Sequence, residues 1–189
     1  MATRYVLDAR SSRFTVQAFA SGLLSAFAHD PVIVIRDFTG ELKTPHNGLA
    51  GASFTLTVNA AALEVSDTIR QKDRVEIDRV MRNEVLETEK YPEIRFDCSD
   101  IAADSVAENW YRARFMGTLR LHDVARPVTI EAQVTVLEDS LRLGGAFTVS
   151  QTQFGIKRPS AAAGMIVARD ELKFSFDIVA RKEGEAAKN

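Results

Sequence analysis

The chain has 189 residues, of which 46% are hydrophobic and 26% charged, and its formal net charge is −2 at pH 7. This composition predicts one globular domain, which we place at residues 1–182, followed by a short flexible tail at residues 183–189. Acidic and basic residues are interspersed and nearly balanced, which argues against a nucleic-acid-binding protein. No stretch of the sequence approaches the roughly 20 consecutive apolar residues of a membrane-spanning helix.

The first residues, MATRYVLDARSS, lack the cationic segment and the apolar run that mark a secretory signal. We therefore expect a cytoplasmic protein. Cys98 is the only cysteine of the sequence, so the chain forms no internal disulfide, as is usual in a reducing compartment.

The N-terminal third is predicted to form strands, because apolar and polar residues alternate with a period of two. A short strand is expected at residues 5–8 and a less regular one at residues 32–42. Between them, the apolar residues of residues 22–28 predict a short helical turn. The regular alternation places these apolar residues on one face of their strands: Phe14, Val16, Ala18, then Phe54, Leu56 and Val58.

Residues 67–87 break this alternation. Their apolar side chains fall at helical spacings, with charged residues between them, and predict one amphipathic helix. The apolar residues of this segment are Ile69, Ile77, Val80, Met81 and Val85. Pro92 is expected to end the helical run and to precede the next strand.

Alternation returns in the C-terminal half. Its one-face apolar residues are Ile94, Phe96 and Cys98; Ala113, Phe115, Gly117, Leu119 and Leu121; Val128, Ile130, Ala132, Val134 and Val136; and Leu172, Phe174, Phe176 and Ile178. A less regular strand is expected at residues 141–153, with a bulge or bend at Gly144 and Gly145. The sequence thus predicts an all-β protein with a minor helical part, an antiparallel barrel of about eight strands with one amphipathic helix.

Two His-Asp pairs, His29-Asp30 and His122-Asp123, are the candidates for chemistry. The sequence lacks the common phosphate-binding, metalloprotease and serine-hydrolase motifs, and a zinc set would need more cysteines. His122-Asp123 lies between two alternating runs and is predicted to form a hairpin turn. Asp30 precedes Pro31, which also favours a turn, and His46 is expected in a solvated loop.

Four stretches carry a resemblance to a known family. They are YVLDARSSRFTVQAF, DRVEIDRVMRNEVLETEKYPEIRF, GTLRLHDVARPVTIEAQV and GAFTVSQTQFGI. In this order they resemble the YceI-like family over about residues 5–180. The third stretch is the most recognisable, with a leucine, a histidine, a short turn and an arginine before Pro-Val.

The resemblance implies a lipocalin-like antiparallel barrel with a helix near one end, whose apolar interior holds a polyisoprenoid chain such as an isoprenoid quinone. Two departures stand out. Many relatives begin with a signal peptide, and many have His-Gly where this chain has His122-Asp123, which predicts a differently closed turn because glycine accepts positive φ more readily. The AFAHD segment also departs from the common pattern, so ligand choice could differ near His29.

We therefore expect a lipid-binding protein that carries, buffers or senses an isoprenoid-like or amphiphilic molecule, with no cofactor, no bound metal and no enzymatic activity. Its predicted ligand-binding residues are the inward-facing apolar side chains and one histidine near the mouth: Phe14, Val16, Phe54, Leu56, Phe96, Phe115, Leu119, Phe147, Phe174, Phe176 and His29. Each aromatic side chain of this set could equally be plain core, since a barrel interior can be filled by its own residues.

Two alternatives stay open at this point. One is an enzyme, with or without a metal, that uses His29 and His122 at the barrel mouth. The other is a structural module with a packed barrel that binds another protein. A homodimer through a barrel edge or the helix face is compatible with any of these functions.

Overall fold

A computed structural model of the chain describes residues 2–22, 30–45, 48–66 and 70–183. The strands in these residues are β1 (Thr3–Leu7), β2 (Arg13–Gln17), β3 (Ala20–Ser21), β4 (Val32–Val34), β5 (Phe38–Thr44), β6 (Ala52–Asn59), β7 (Glu64–Val65), β8 (Glu93–Ala107), β9 (Trp110–Leu121), β10 (Val124–Val136), β11 (Ser140–Ser150), β12 (Ser160–Ala161), β13 (Ile166–Ala168) and β14 (Glu171–Lys182). The helix α1 (Gln71–Val80) continues as a π-helical segment at Met81–Val85. The predicted turn at residues 22–28 falls almost wholly on residues 23–29, which lie outside the described ranges.

Eight antiparallel strands close into a barrel in the order β1-β5-β6-β8-β9-β10-β11-β14, and β14 pairs with β1 to complete it. This confirms the predicted fold class. The long strands β8 to β11 are joined by short turns, so their pairing follows chain order. Closure pairs the edge strands that an open sheet would expose, although β10 and β11 pair only over Gln133–Val136 and Leu141–Gly144.

Three strands of the barrel wall are interrupted near the end that α1 covers. β14 pairs with β1 along its C-terminal part and with β2 along its N-terminal part. In the same way β1 pairs with β5 while β2 pairs with β4, and β5 pairs with β6 while β4 pairs with β7. Beyond the breaks, β2 thus takes the place of β1, β4 that of β5, and β7 that of β6 in the wall.

The predicted single strand at residues 32–42 is wrong, because β4 and β5 are separate strands. The inward-facing residues of the first part, Ile33 and Ile35, occupy odd-numbered positions, whereas the buried residues of the second part, Phe38 and Leu42, occupy even-numbered positions. Since side chains alternate strictly along a strand, both sets can point inward only if the chain breaks between them. Asp37 marks the break, where its carbonyl accepts from the backbone N–H of Asn59 at 3.0 Å.

A bulge in β8 likewise changes the inward-facing positions from even to odd numbers, but within one strand. Ile94, Phe96 and Cys98 face inward, and after the bulge Ile101 and Ala103 do so. The pairing with β9 shifts by one residue between Asp97 and Ile101. Such a bulge bends the strand and increases its twist, as closure into a barrel requires.

The amphipathic helix is confirmed over residues 71–85, and the predicted start at residues 67–69 lies outside the described ranges. The helical segment ends at Val85, close to the predicted bound at residue 87, and Pro92 precedes β8 as predicted but does not itself end the helix. Glu87 has a φ of 46°, and its carbonyl accepts from the backbone N–H groups of Lys90 and Tyr91. This left-handed residue stops the helix, and the chain makes a further turn before β8 begins.

The predicted strand at residues 141–153 is corrected at its C-terminal end. The strand β11 ends at Ser150, and Gln151–Phe154 form a 3₁₀ turn in which the backbone N–H of Gln151 donates to Asp170 O at 3.0 Å. Gly144 and Gly145 cause no register shift against β14, so no bulge lies on that side, but the pairing of β11 with β10 ends at Gly144, opposite Gln133. Gly145 instead lies under the ring of Phe176: a Cβ there would be 2.8 Å from Phe176 Cζ.

Candidate functional site

The interior of the barrel is packed in one half and open in the other. A cavity of about 490 Å³ extends inward from the end covered by α1. Its floor includes Phe115 of β9 and Leu143 of β11. One inward step further along these strands, Ala113 and Leu141 are 0 and 1% exposed and lie outside the cavity. The packed half supplies the core, while the open half supplies a site.

All the predicted apolar site residues line this cavity: Phe14, Val16, Phe54, Leu56, Phe96, Phe115, Leu119, Phe147, Phe174 and Phe176. Period-two alternation was a sufficient signal for these ten residues, because each of them faces inward on its strand. Their contact with a ligand stays a prediction. The eleventh predicted residue, His29, lies outside the described residues.

Aromatic side chains form two facing groups on opposite walls. On β11 and β14, Phe147 and Phe174 stack with ring centroids 4.7 Å apart and planes 10° apart. On β6 and β9, Phe54 and Phe115 meet edge to face at 5.4 Å. These rings interlock within each wall and leave flat apolar surfaces toward the cavity.

The mouth is built from elements that were not assigned to the site from sequence. The apolar face of α1 and its π-helical extension contributes Ile77, Val80, Met81 and Val85. Opposite, the small sheet β12-β13-β3 contributes Ala20 and Ile166 among others. The helix face was visible as a periodic pattern, but strands of two or three residues carry no periodicity that a sequence could reveal.

Three polar residues border the cavity in the described part of the chain: Glu76, Gln151 and Ser160. Glu76 lies on α1 with 63% of its side chain exposed, and the Arg79 guanidinium holds the pKa of this carboxyl below its usual range. Ser160 is also exposed, whereas Gln151 is only 2% exposed. Gln151 continues the odd-numbered inward phase of Leu141 to Val149, so the alternation alone could have placed it at the cavity, but a search for apolar inward residues passes over a glutamine.

His122 and Asp123 form the predicted hairpin turn and no dyad. They join β9 to β10 with φ angles of 52° and 59°, so Asp123 adopts the left-handed conformation typical of a tight hairpin turn. His122 Nε2 lies 2.8 Å from Glu87 Oε2, and its ring centroid lies 4.1 Å from that of Tyr91. Asp123 faces Arg120 instead, at 3.4 Å. His122 thus holds the turn against the segment before β8 and lies outside the cavity wall.

Within the described ranges, no three histidine, cysteine, aspartate or glutamate side chains come close enough together to hold a metal ion. Across the same residues, no helix combines the length and the apolar character needed to cross a membrane.

The comparison with protein families decides the relationship. The model of the YceI-like domain matches residues 5–180. The chain belongs to the YceI-like family. A search of curated proteins finds no match to this YceI-like chain.

Solved structures share its fold at low sequence identity. BcnA from Burkholderia cenocepacia superposes with a TM-score of 0.68 at 18% identity, covering 92% of this chain and 98% of its own. A polyisoprenoid binding domain from Saccharophagus degradans, implicated in plant cell wall breakdown, gives 0.66 at 13% identity, covering 95% and 98%. The YceI protein of Campylobacter jejuni gives 0.58 at 11% identity, covering 81% and 85%. The YceI-like barrel is therefore established for this chain across nearly its whole length.

Proposed function

We propose that this YceI-like protein binds a long-chain apolar or amphiphilic molecule, such as a polyisoprenoid or an isoprenoid quinone, and acts as its carrier, buffer or sensor. The observation that carries the proposal is the open half of the barrel, with its cavity of about 490 Å³ and almost wholly apolar walls. A module that only needed a stable barrel to display its surface could fill both halves, as it fills one. The packed structural module is therefore the weaker alternative.

The energetics favour a long chain. Each buried CH₂ contributes about 0.8 kcal/mol, so about ten carbons contribute about 8 kcal/mol, within the cost of association of about 4–15 kcal/mol. A longer tail binds with a surplus even without a hydrogen bond. The stacked pair Phe147 and Phe174 offers such a tail a flat wall that is already ordered.

The family and one neighbour support the same ligand class. The Saccharophagus degradans domain is described as polyisoprenoid binding, and it covers 95% of this chain. We assign ligand contact to the ten predicted apolar residues of the cavity wall, and no catalytic role to any residue. Three further points stay predictions from the sequence: contact of His29 with the head group, formation of a homodimer and location in the cytoplasm.

Purification without added ligand tests the proposal directly. We expect mass spectrometry of an organic extract to detect a lipid in stoichiometric amount. Metal analysis of the same sample tests the alternative, a metal-dependent enzyme. A stoichiometric metal that is lost in His29→Ala or His122→Ala would replace the carrier with a metal-dependent function.

A substitution that fills the cavity tests where the ligand binds, with a matched control on the outer face of the same strand. Leu119 of β9 lines the cavity and is 8% exposed, whereas Met116 lies on the outer face of the same strand and is 52% exposed. We expect Leu119→Trp to weaken binding of geranylgeraniol at least tenfold, because the indole occupies the space of the tail, and Met116→Trp to leave it unchanged. Native mass spectrometry measures both affinities, and circular dichroism checks folding. Equal affinity in the two variants would place the ligand elsewhere.

A further inference from the structure

Gln151 is a buried polar side chain on the wall of an apolar cavity. It is 2% exposed, lines the cavity and follows directly after the last residue of β11. Burying an amide next to hydrocarbon is unfavourable unless its polar atoms find partners. A leucine at this position would continue the apolar inward phase of the strand. A glutamine at this position is therefore stable only if its amide forms hydrogen bonds.

The orientation of the amide is fixed by its neighbours. Nε2 of Gln151 donates to the backbone carbonyl of Arg169 at 2.7 Å, and a carbonyl can only accept, so the nitrogen must face Arg169. Oε1 then points away from Arg169. Within the described part of the chain, Oε1 accepts no hydrogen bond, and it is not among the fully enclosed polar atoms. Among the described residues Oε1 is thus an acceptor without a donor, on a side chain that lines the cavity.

The backbone around Gln151 is held in place by Asp170. The carboxylate of Asp170 accepts from the backbone N–H of Thr152 at 2.9 Å, from Thr152 Oγ1 at 2.8 Å and from the Ser150 hydroxyl. These hydrogen bonds, that of Ser150 first, hold the pKa of Asp170 below its usual range, so it stays ionised at neutral pH. Asp170 thereby holds the residues on both sides of Gln151, and the amide is ordered before any ligand binds.

We propose that Gln151 Oε1 accepts a hydrogen bond from an uncharged head group of the ligand, a hydroxyl or a primary amide, whose tail lies toward Phe115 and Leu143. This inference rests on the proposed function and adds the class of head group. A diphosphate offers only acceptors to Oε1. No lysine, arginine or histidine lines the cavity in the described residues, so these residues offer no cation to neutralise an anionic head group there.

Three matched probes with the same C20 skeleton test the head group on the unaltered protein. They are phytanol, its methyl ether and phytane, which share one carbon skeleton, and only the alcohol can donate a hydrogen bond. We expect the ether to bind about fivefold to tenfold more weakly than the alcohol, as the loss of one hydrogen bond predicts. Equal affinity for alcohol and ether, or tighter binding of phytanyl diphosphate than of phytanol, would overturn the assignment.

A substitution then locates the acceptor. In Gln151→Met, which keeps the side-chain length, we expect the ratio of the phytanol and phytane dissociation constants to shift about tenfold against the alcohol. Leu172→Met changes another cavity-lining residue without removing a polar atom and should leave that ratio unchanged. An unchanged ratio in Gln151→Met would refute the role of Gln151. If phytane and phytanol both fail to bind the unaltered protein, the proposed function itself fails, whatever Gln151 does.

Discussion

His122 shows how a residue with catalytic chemistry can serve structure. Its side chain is 13% exposed and is occupied by Glu87 on one side and by the ring of Tyr91 on the other. Both partners belong to the segment between the helix and β8. A dipeptide motif in the sequence does not reveal these partners, because the nearer of them lies 31 residues away along the chain, from Tyr91 to His122.

Truncation of His122 tests this structural role. We expect His122→Ala to lower the free energy of unfolding by about 1–2 kcal/mol, because a partly buried hydrogen bond and a ring contact are lost. Urea denaturation measures the change. Asp123→Gly is the control in the same turn: it should not destabilise the protein, since glycine accepts the φ of 59° without strain. A variant His122→Ala that keeps full stability but loses ligand binding would return His122 to the functional site.

Among the elements, the long strands are the most predictable and the broken ones the least. Alternation along β9, β10 and β14 is continuous, so one periodic pattern defines both the strand and its inward face. The break between β4 and β5 is visible only as a change from odd to even inward positions. An apolar residue in each register, Ile35 and Phe38, makes the sequence look like one irregular strand.

The packing of Gly145 of β11 between β10 and β14 gives a prediction at this scale. A Cβ on Gly145 would lie 2.6 Å from the carbonyl oxygen of Glu131 and 2.8 Å from Phe176 Cζ, whereas the nearest atom to a Cβ on Gly144 is 3.9 Å away. We expect Gly145→Ala to cost about 1–3 kcal/mol of stability through overpacking and to push the Phe176 ring toward the cavity, which weakens ligand binding. Gly144→Ala should change neither quantity. Thermal unfolding and phytanol affinity measure the pair, and equal effects would argue against this packing.

The whole molecule divides its interior between stability and binding. In the packed half, Leu141 is 1% exposed and lies below the cavity floor, while Leu172 lies on the cavity wall with its side chain partly exposed. The same type of side chain therefore lies either in packed core or beside open space, depending on its height in the barrel.

Truncating each leucine separates these properties. We expect Leu141→Ala to cost about 2–5 kcal/mol of stability, because it leaves a cavity in a packed core, and to keep ligand affinity. Leu172→Ala should cost less than half as much, because its side chain already borders open space, but should change the affinity. Urea denaturation and native mass spectrometry measure the two variants. A larger stability loss for Leu172→Ala would contradict the division of the interior.

The sequence by itself determined the barrel, its approximate strand number, the amphipathic helix and the inward face of ten cavity residues, because side-chain periodicity is a local property that each segment carries. Only the tertiary structure decided that one half of that inward face is packed and the other open, where the helix and the small sheet border the mouth, and that Gln151 borders the cavity with its Nε2 bound to Arg169 O. Those features depend on which distant segments meet, such as Gln151 with Arg169, and no local pattern records such a meeting.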